Sequence, residues 1–242
     1  MKCSFNEIPF KYGVIHNLLT KEENSILHNM CEEFYAANNE SVDDLSYFVL
    51  DQDRARFNQL GKHTSMKLGL YQNNVAVNLT KEQLKVYDTI INKVNSRFNQ
   101  ADILKTFPIK YREDGTKMEY HSGLCITANL TEFPLLPHTD NPEELKQYGI
   151  DNNISVSCGI YKGVIYITND NLDYTHYGTR FYNINQPNNP NVPNNLRYTE
   201  ILEAEFNGGD ACIFETGPHS WHGTDFKNGL PHNRFTITFE YF

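Results

Sequence analysis

The chain has 242 residues and a mass of 28.0 kDa, a length that suits one domain of the larger sort and allows roughly 70–75% of the unfolded surface to be buried. Lys and Arg number 21 against 30 Asp and Glu, a formal net charge of −9, which argues against a sequence-independent grip on nucleic acid phosphates. Five cysteines stand far apart with no Cys-x-x-Cys pair. They read as free buried thiols of a reducing compartment. The N-terminus has no apolar run of signal-peptide length and no stretch approaches a membrane span, so the expected location is cytoplasmic.

Two helices are predicted in the first hundred residues, each opened by a capping box. Thr20 is followed three residues later by Glu23, and Leu27, Met30, Cys31 and Phe34 then form an apolar stripe. Thr80 is followed by Gln83, and Leu84, Tyr87, Ile91, Val94 and Phe98 trace a second stripe. Both stripes read as faces packed on a sheet.

From about residue 105 the pattern changes to short runs rich in β-branched and aromatic residues. Strands are predicted at Leu124–Leu130, Ile154–Cys158, Gly163–Thr168, Gly178–Tyr182, Ile201–Phe206, Ala211–Glu215 and Arg234–Tyr241. Such strands after helices suggest a closed or two-sheet antiparallel barrel with helices on one side. The Asn- and Pro-rich run Asn183–Asn195 reads as a long loop. One domain is expected over 1–242, with mostly helical support in 1–104 and a β core in 105–242.

Three elements carry chemistry. In Pro137-His138-Thr139-Asp140, an extended backbone would send His138 and Asp140 to one face, so that both could bind one metal. The segment Pro218-His219-Ser220-Trp221-His222-Gly223 holds two more histidines, either of which would complete a two-His, one-carboxylate set of the kind that suits non-haem Fe(II). The C-terminal run alternates strictly, with Arg234, Thr236, Thr238 and Glu240 on one face and Phe235, Ile237, Phe239 and Tyr241 on the other. Either face fits an inward position. If Arg234 points inward, a carboxylate ligand matches its planar fork.

Together these elements resemble the Fe(II)- and 2-oxoglutarate-dependent dioxygenase superfamily, in its prolyl-hydroxylase-like branch. The carriers are His138-x-Asp140, a distal His222 and Arg234-x-Thr236 in that order, with Tyr-Gly-Thr-Arg-Phe-Tyr at 177–182 and Ser-Trp-His-Gly at 220–223. The resemblance covers about 105–242 and implies a double-stranded β-helix, a cupin-like jelly roll. It also implies Fe(II) held by His138, Asp140 and His222, with His222 preferred to His219 as the histidine of Trp-His-Gly. Arg234 and Thr236 would bind the distal carboxylate of 2-oxoglutarate. The implied reaction uses O2, yields succinate and CO2, and hydroxylates an unactivated C–H bond of an amino acid, prolyl peptide or small metabolite. A carboxylate at Asp140, where related halogenases bind halide, favours hydroxylation over chlorination.

The chain departs from the branch in having Ala128, Asn129 and Leu130 where relatives often carry a Tyr, so Tyr111 and Tyr120 are the remaining candidates for a second contact to the 2-oxoglutarate carboxylate. Substrate selectivity is expected in Leu45–Gln72, where Arg54 and Arg56 stand beside Tyr47, Phe48 and Phe57, with Asn183–Asn195 as the rival cover. Two other functions share these residues: a Zn hydrolase or isomerase on the same barrel, against which Arg234 speaks, and a non-catalytic jelly-roll binding module.

Overall fold

A computed structural model describes residues 2–7, 9–38, 65–69, 80–100, 120–127, 135–141, 147, 161–185, 198–224 and 234–241. Arg54, Arg56, Tyr111, the predicted strand Ile154–Cys158 and most of the Asn183–Asn195 loop lie outside these residues.

In chain order the elements are β1 (Lys2–Asn6), β2 (Tyr12–His16), α1 (Lys21–Asn38), β3 (Ser65–Gly69), α2 (Lys81–Gln100), β4 (Tyr120–Thr127), β5 (Leu135–His138), β6 (Tyr161–Ile167), β7 (Thr179–Ile184), β8 (Tyr198–Ala204), β9 (Ala211–Glu215), β10 (His222–Thr224) and β11 (Arg234–Tyr241). They form a seven-stranded sheet in the order β1-β2-β9-β6-β11-β4-β3 and a four-stranded sheet in the order β5-β10-β7-β8. From β4 onward the chain passes back and forth between the sheets, and the pairings are antiparallel. This winding is the double-stranded β-helix expected from the sequence. The N-terminal hundred residues, read as mostly helical, also supply β1, β2 and β3, which extend the large sheet at its two edges. The signal for β1 was an alternation too short to stand alone: Cys3 and Phe5 are half-buried while Lys2, Ser4 and Asn6 are exposed.

Both capping boxes form. The Thr20 N–H donates to Glu23 Oε2 at 2.9 Å and the Glu23 N–H to Thr20 Oγ1 at 3.1 Å; Thr80 and Gln83 repeat the pattern at 3.0 and 3.1 Å. Glu23 also joins the helices, because Arg97 of α2 donates to its two carboxylate oxygens at 2.6 and 2.8 Å and to the Leu18 carbonyl at 2.8 Å. The hydrogen bonds from Arg97, aided by the Thr20 N–H, overcome burial and bring the Glu23 carboxyl down to about 2.

The large sheet has two different faces. On one, Phe235, Ile237 and Phe239 of β11, Ile165 and Ile167 of β6 and Ile213 of β9 pack with Leu27, Met30 and Cys31 of α1 and Tyr87, Ile90, Ile91 and Val94 of α2. Gly163 serves this face: a Cβ there would lie 1.9 Å from Phe239 Cζ, so the ring lies flat over its cross-strand partner only because the position is glycine. The other face looks into the barrel, where Tyr12, Val164, Tyr166, Cys212 and Phe214 meet Phe181, Ala204 and Phe206. Cys31 and Cys212 are buried free thiols, as expected, whereas Cys3 is half-buried rather than buried. No helix among the described residues is long and apolar enough to cross a membrane.

Candidate metal centre

The small sheet assembles the first part of the site. β10 lies between β5 and β7, and its register sets His222 opposite His138 on one side and Phe181 on the other. The imidazole centroids of His138 and His222 are 4.4 Å apart. Strand β5 ends at His138, so Asp140 reaches the same place from the irregular chain just beyond the strand rather than from the pleat. One donor atom from each of His138, Asp140 and His222 lies within 4.8 Å of the others, the only such group of three among the described residues. His219 is exposed and takes no part.

Hydrogen bonding fixes which nitrogen of His222 faces the group. Its Nδ1 lies 2.8 Å from the Ser220 carbonyl oxygen, which can only accept, so Nδ1 carries a proton. Nε2 is then directed at Asp140 Oδ2, 3.3 Å away. A neutral imidazole would present a lone pair there to a carboxylate oxygen. The contact needs a cation or a proton between the two atoms, and a backbone carbonyl holding the far nitrogen is the usual way to orient a ligating histidine. His222 is 5% exposed and Asp140 2%, and the Phe214 ring lies 4.4 Å from the imidazole. Burial alone would raise the Asp140 carboxyl, but Lys162, His222 and His138 together hold it well below the usual carboxylate range.

Lys162 was not singled out from the sequence. Its Nζ is 2.5 Å from Asp140 Oδ2. The signal available was a single charge in the run Tyr161-Lys162-Gly163-Val164-Ile165-Tyr166-Ile167, at the period that places it with Val164 and Tyr166 toward the interior.

The polar face of β11 is the inward one, which periodicity alone could not decide. Arg234 is 7% exposed and Thr236 1%. The Arg234 Nε donates to the Tyr177 carbonyl at 2.9 Å, and the guanidinium carbon lies 5.1 Å from the centre of the Phe206 ring. Thr236 Oγ1 is buried and makes no hydrogen bond with any described residue, an arrangement that polar groups inside proteins rarely keep without a ligand or water to satisfy them. Both donors suit a carboxylate. Four of the six residues at 177–182 have a visible part: the Tyr177 carbonyl accepts from Arg234, Thr179 Oγ1 accepts the Tyr166 hydroxyl at 2.9 Å, Arg180 pairs with Glu200 and Glu203, and Phe181 stands opposite His222.

No protein-family model matches the chain, and no curated protein matches it. Among solved structures it is similar to a prolyl hydroxylase from Trichoplax adhaerens in complex with a hypoxia-inducible-factor peptide fragment, at 12% identity and a TM-score of 0.49, over 96% of this chain and 83% of that one. It is similar to a prolyl-4-hydroxylase from Pseudomonas putida at 10% identity and a TM-score of 0.45, over 95% and 91% of the two chains. A third is a non-haem alpha-ketoglutarate-dependent epimerase of nogalamycin biosynthesis, at 11% identity and a TM-score of 0.49, over 96% and 77%. The first two are prolyl hydroxylases and the third is an alpha-ketoglutarate-dependent epimerase. At this level of likeness, what the site can do is decided by its own donor atoms.

Proposed function

We propose that the chain is an Fe(II)- and 2-oxoglutarate-dependent dioxygenase that hydroxylates an unactivated C–H bond of an amino acid, a prolyl peptide or a small metabolite. The observation that carries this reading is the convergence of one donor atom from each of His138, Asp140 and His222 within 4.8 Å, with Arg234 and Thr236 buried on the inward face of β11. The donor set fits a divalent cation: two imidazoles and one carboxylate, buried or half-buried. His138, Asp140 and His222 would hold iron, which supplies oxygen activation coupled to oxidative decarboxylation of 2-oxoglutarate to succinate and CO2.

The chain's own part is positioning and exclusion of water. Ser220 orients His222, and Phe214 closes an apolar wall on the imidazole. Arg234 and Thr236 would take the distal carboxylate of 2-oxoglutarate, one through its fork and the other through its unspent hydroxyl. These two inward donors favour the dioxygenase over a Zn hydrolase or isomerase, which has no carboxylate co-substrate to anchor. Succinate formation that needs both Fe(II) and O2 tests the reaction class. For the ligands, titration calorimetry with Mn(II) should show binding lost in His222→Ala and kept in His219→Ala. The reverse result would sink the assignment.

A further inference from the structure

Lys162 projects from β6 on the side of Val164 and Tyr166, into the barrel, and its side chain is 19% exposed against 3% for Asp140. Its ammonium shares an Asp140 oxygen with a histidine. It sits on Oδ2, 2.5 Å away, the same atom that lies 3.3 Å from His222 Nε2. One oxygen thus faces both the resident ammonium and the nitrogen that would ligate a metal. A divalent cation and an ammonium cannot both contact that oxygen without strong repulsion, because the surroundings are buried and screen charge poorly.

We infer that Lys162 is a built-in competitor of the metal: its ammonium occupies the cation position on Asp140 Oδ2, must move aside when a divalent ion binds, and so sets how tightly the site holds one. Lys162 is in this sense a positioning residue acting through Asp140, and the inference rests on the metal-binding reading of the site. A lysine that merely oriented the carboxylate would have the opposite effect on removal, since its loss would leave a ligand disordered. A competitor's loss removes one positive charge from beside a buried carboxylate, which then attracts a cation more strongly.

The test is Mn(II) titration of the parent protein, Lys162→Met, Lys162→Gln, Lys162→Arg and His222→Ala, with thermal melts alongside. The Met and Gln variants should bind Mn(II) at least about ten-fold more tightly than the parent, and the Arg variant, which keeps the charge, should stay within about three-fold of it. Poor folding can only weaken binding, so a gain is not explained by it. Binding by both neutral variants that is no tighter than the parent, or a gain in Arg equal to that in Met, overturns the inference and leaves the metal reading standing. A parent that binds no Mn(II), or binds it as His222→Ala does, overturns both.

Discussion

The two faces of the large sheet carry different burdens, and β11 shows it in three consecutive residues. Phe235, fully buried, turns toward the helices and meets the edge of the His28 ring at 5.4 Å. Arg234 and Thr236, on either side of it, are almost as deeply buried but turn into the barrel, one on a backbone carbonyl and the other with no hydrogen-bond partner among the described residues. The helix-covered face is apolar and closed and acts by packing. The barrel face keeps polar groups out of water, where they cost stability unless something satisfies them. An inward polar face that persists in a strand is thus better explained by a ligand than by folding.

The largest expected effect belongs to the helix-covered face. Phe235→Ala should lower the unfolding free energy by about 3–5 kcal/mol, through lost transfer energy and the cavity left under α1. Denaturant melts followed by circular dichroism measure it. In whatever fraction remains folded, Mn(II) affinity should stay close to the parent's, because Phe235 packs in the cluster under the helices. A large loss of metal affinity with little loss of stability would show that the two faces are not separable in this way.

Next comes Arg234→Ala, on the barrel face. Mn(II) binding should survive, while 2-oxoglutarate binding to the Mn(II) form should weaken by about 2–5 kcal/mol, roughly 30- to several-thousand-fold. Calorimetry with 2-oxoglutarate reads it directly. A near-normal dissociation constant would mean that the guanidinium only braces the Tyr177 carbonyl, and the barrel face would then be structural in the same sense as the other.

How much of this was legible in the sequence follows from the range of each signal. The capping boxes at Thr20 and Thr80 are set by residues three apart, and both form as read. The strand alternation in β11 is equally local and gave the two faces correctly, but which face is inward depends on where α1 and α2 lie, and no local period contains that. His138 and His222 meet because β10 pairs with β5 across a long stretch of chain. The order of the motifs hinted at that encounter through family resemblance; spacing did not supply it. Lys162 was missed because one lysine in an apolar strand looks like an edge or surface position until Asp140 is placed beside it. The short strand β1 was missed because five residues of alternation carry little weight without β2 to pair with.

The smallest effect separates the faces most sharply, since it turns on a single hydroxyl. In the register of β11, Thr236 stands opposite Cys125 of β4 and Tyr166 of β6, yet the Tyr166 hydroxyl is already spent on Thr179. The Thr236 hydroxyl is therefore left buried without a hydrogen bond. Thr236→Val keeps the β-branched shape that a strand prefers and removes only that group. Deleting an unsatisfied buried hydroxyl should leave the unfolding free energy unchanged or raise it by up to about 1 kcal/mol. The same deletion should weaken 2-oxoglutarate binding by about 1 kcal/mol, roughly five-fold, because the carboxylate then has no hydroxyl to meet. Stability and ligand affinity should thus move in opposite directions, which no substitution on the helix-covered face is expected to do. If the valine variant instead loses stability and ligand binding is untouched, the hydroxyl is satisfied within the folded protein, and the barrel face at Thr236 is held by packing like its counterpart.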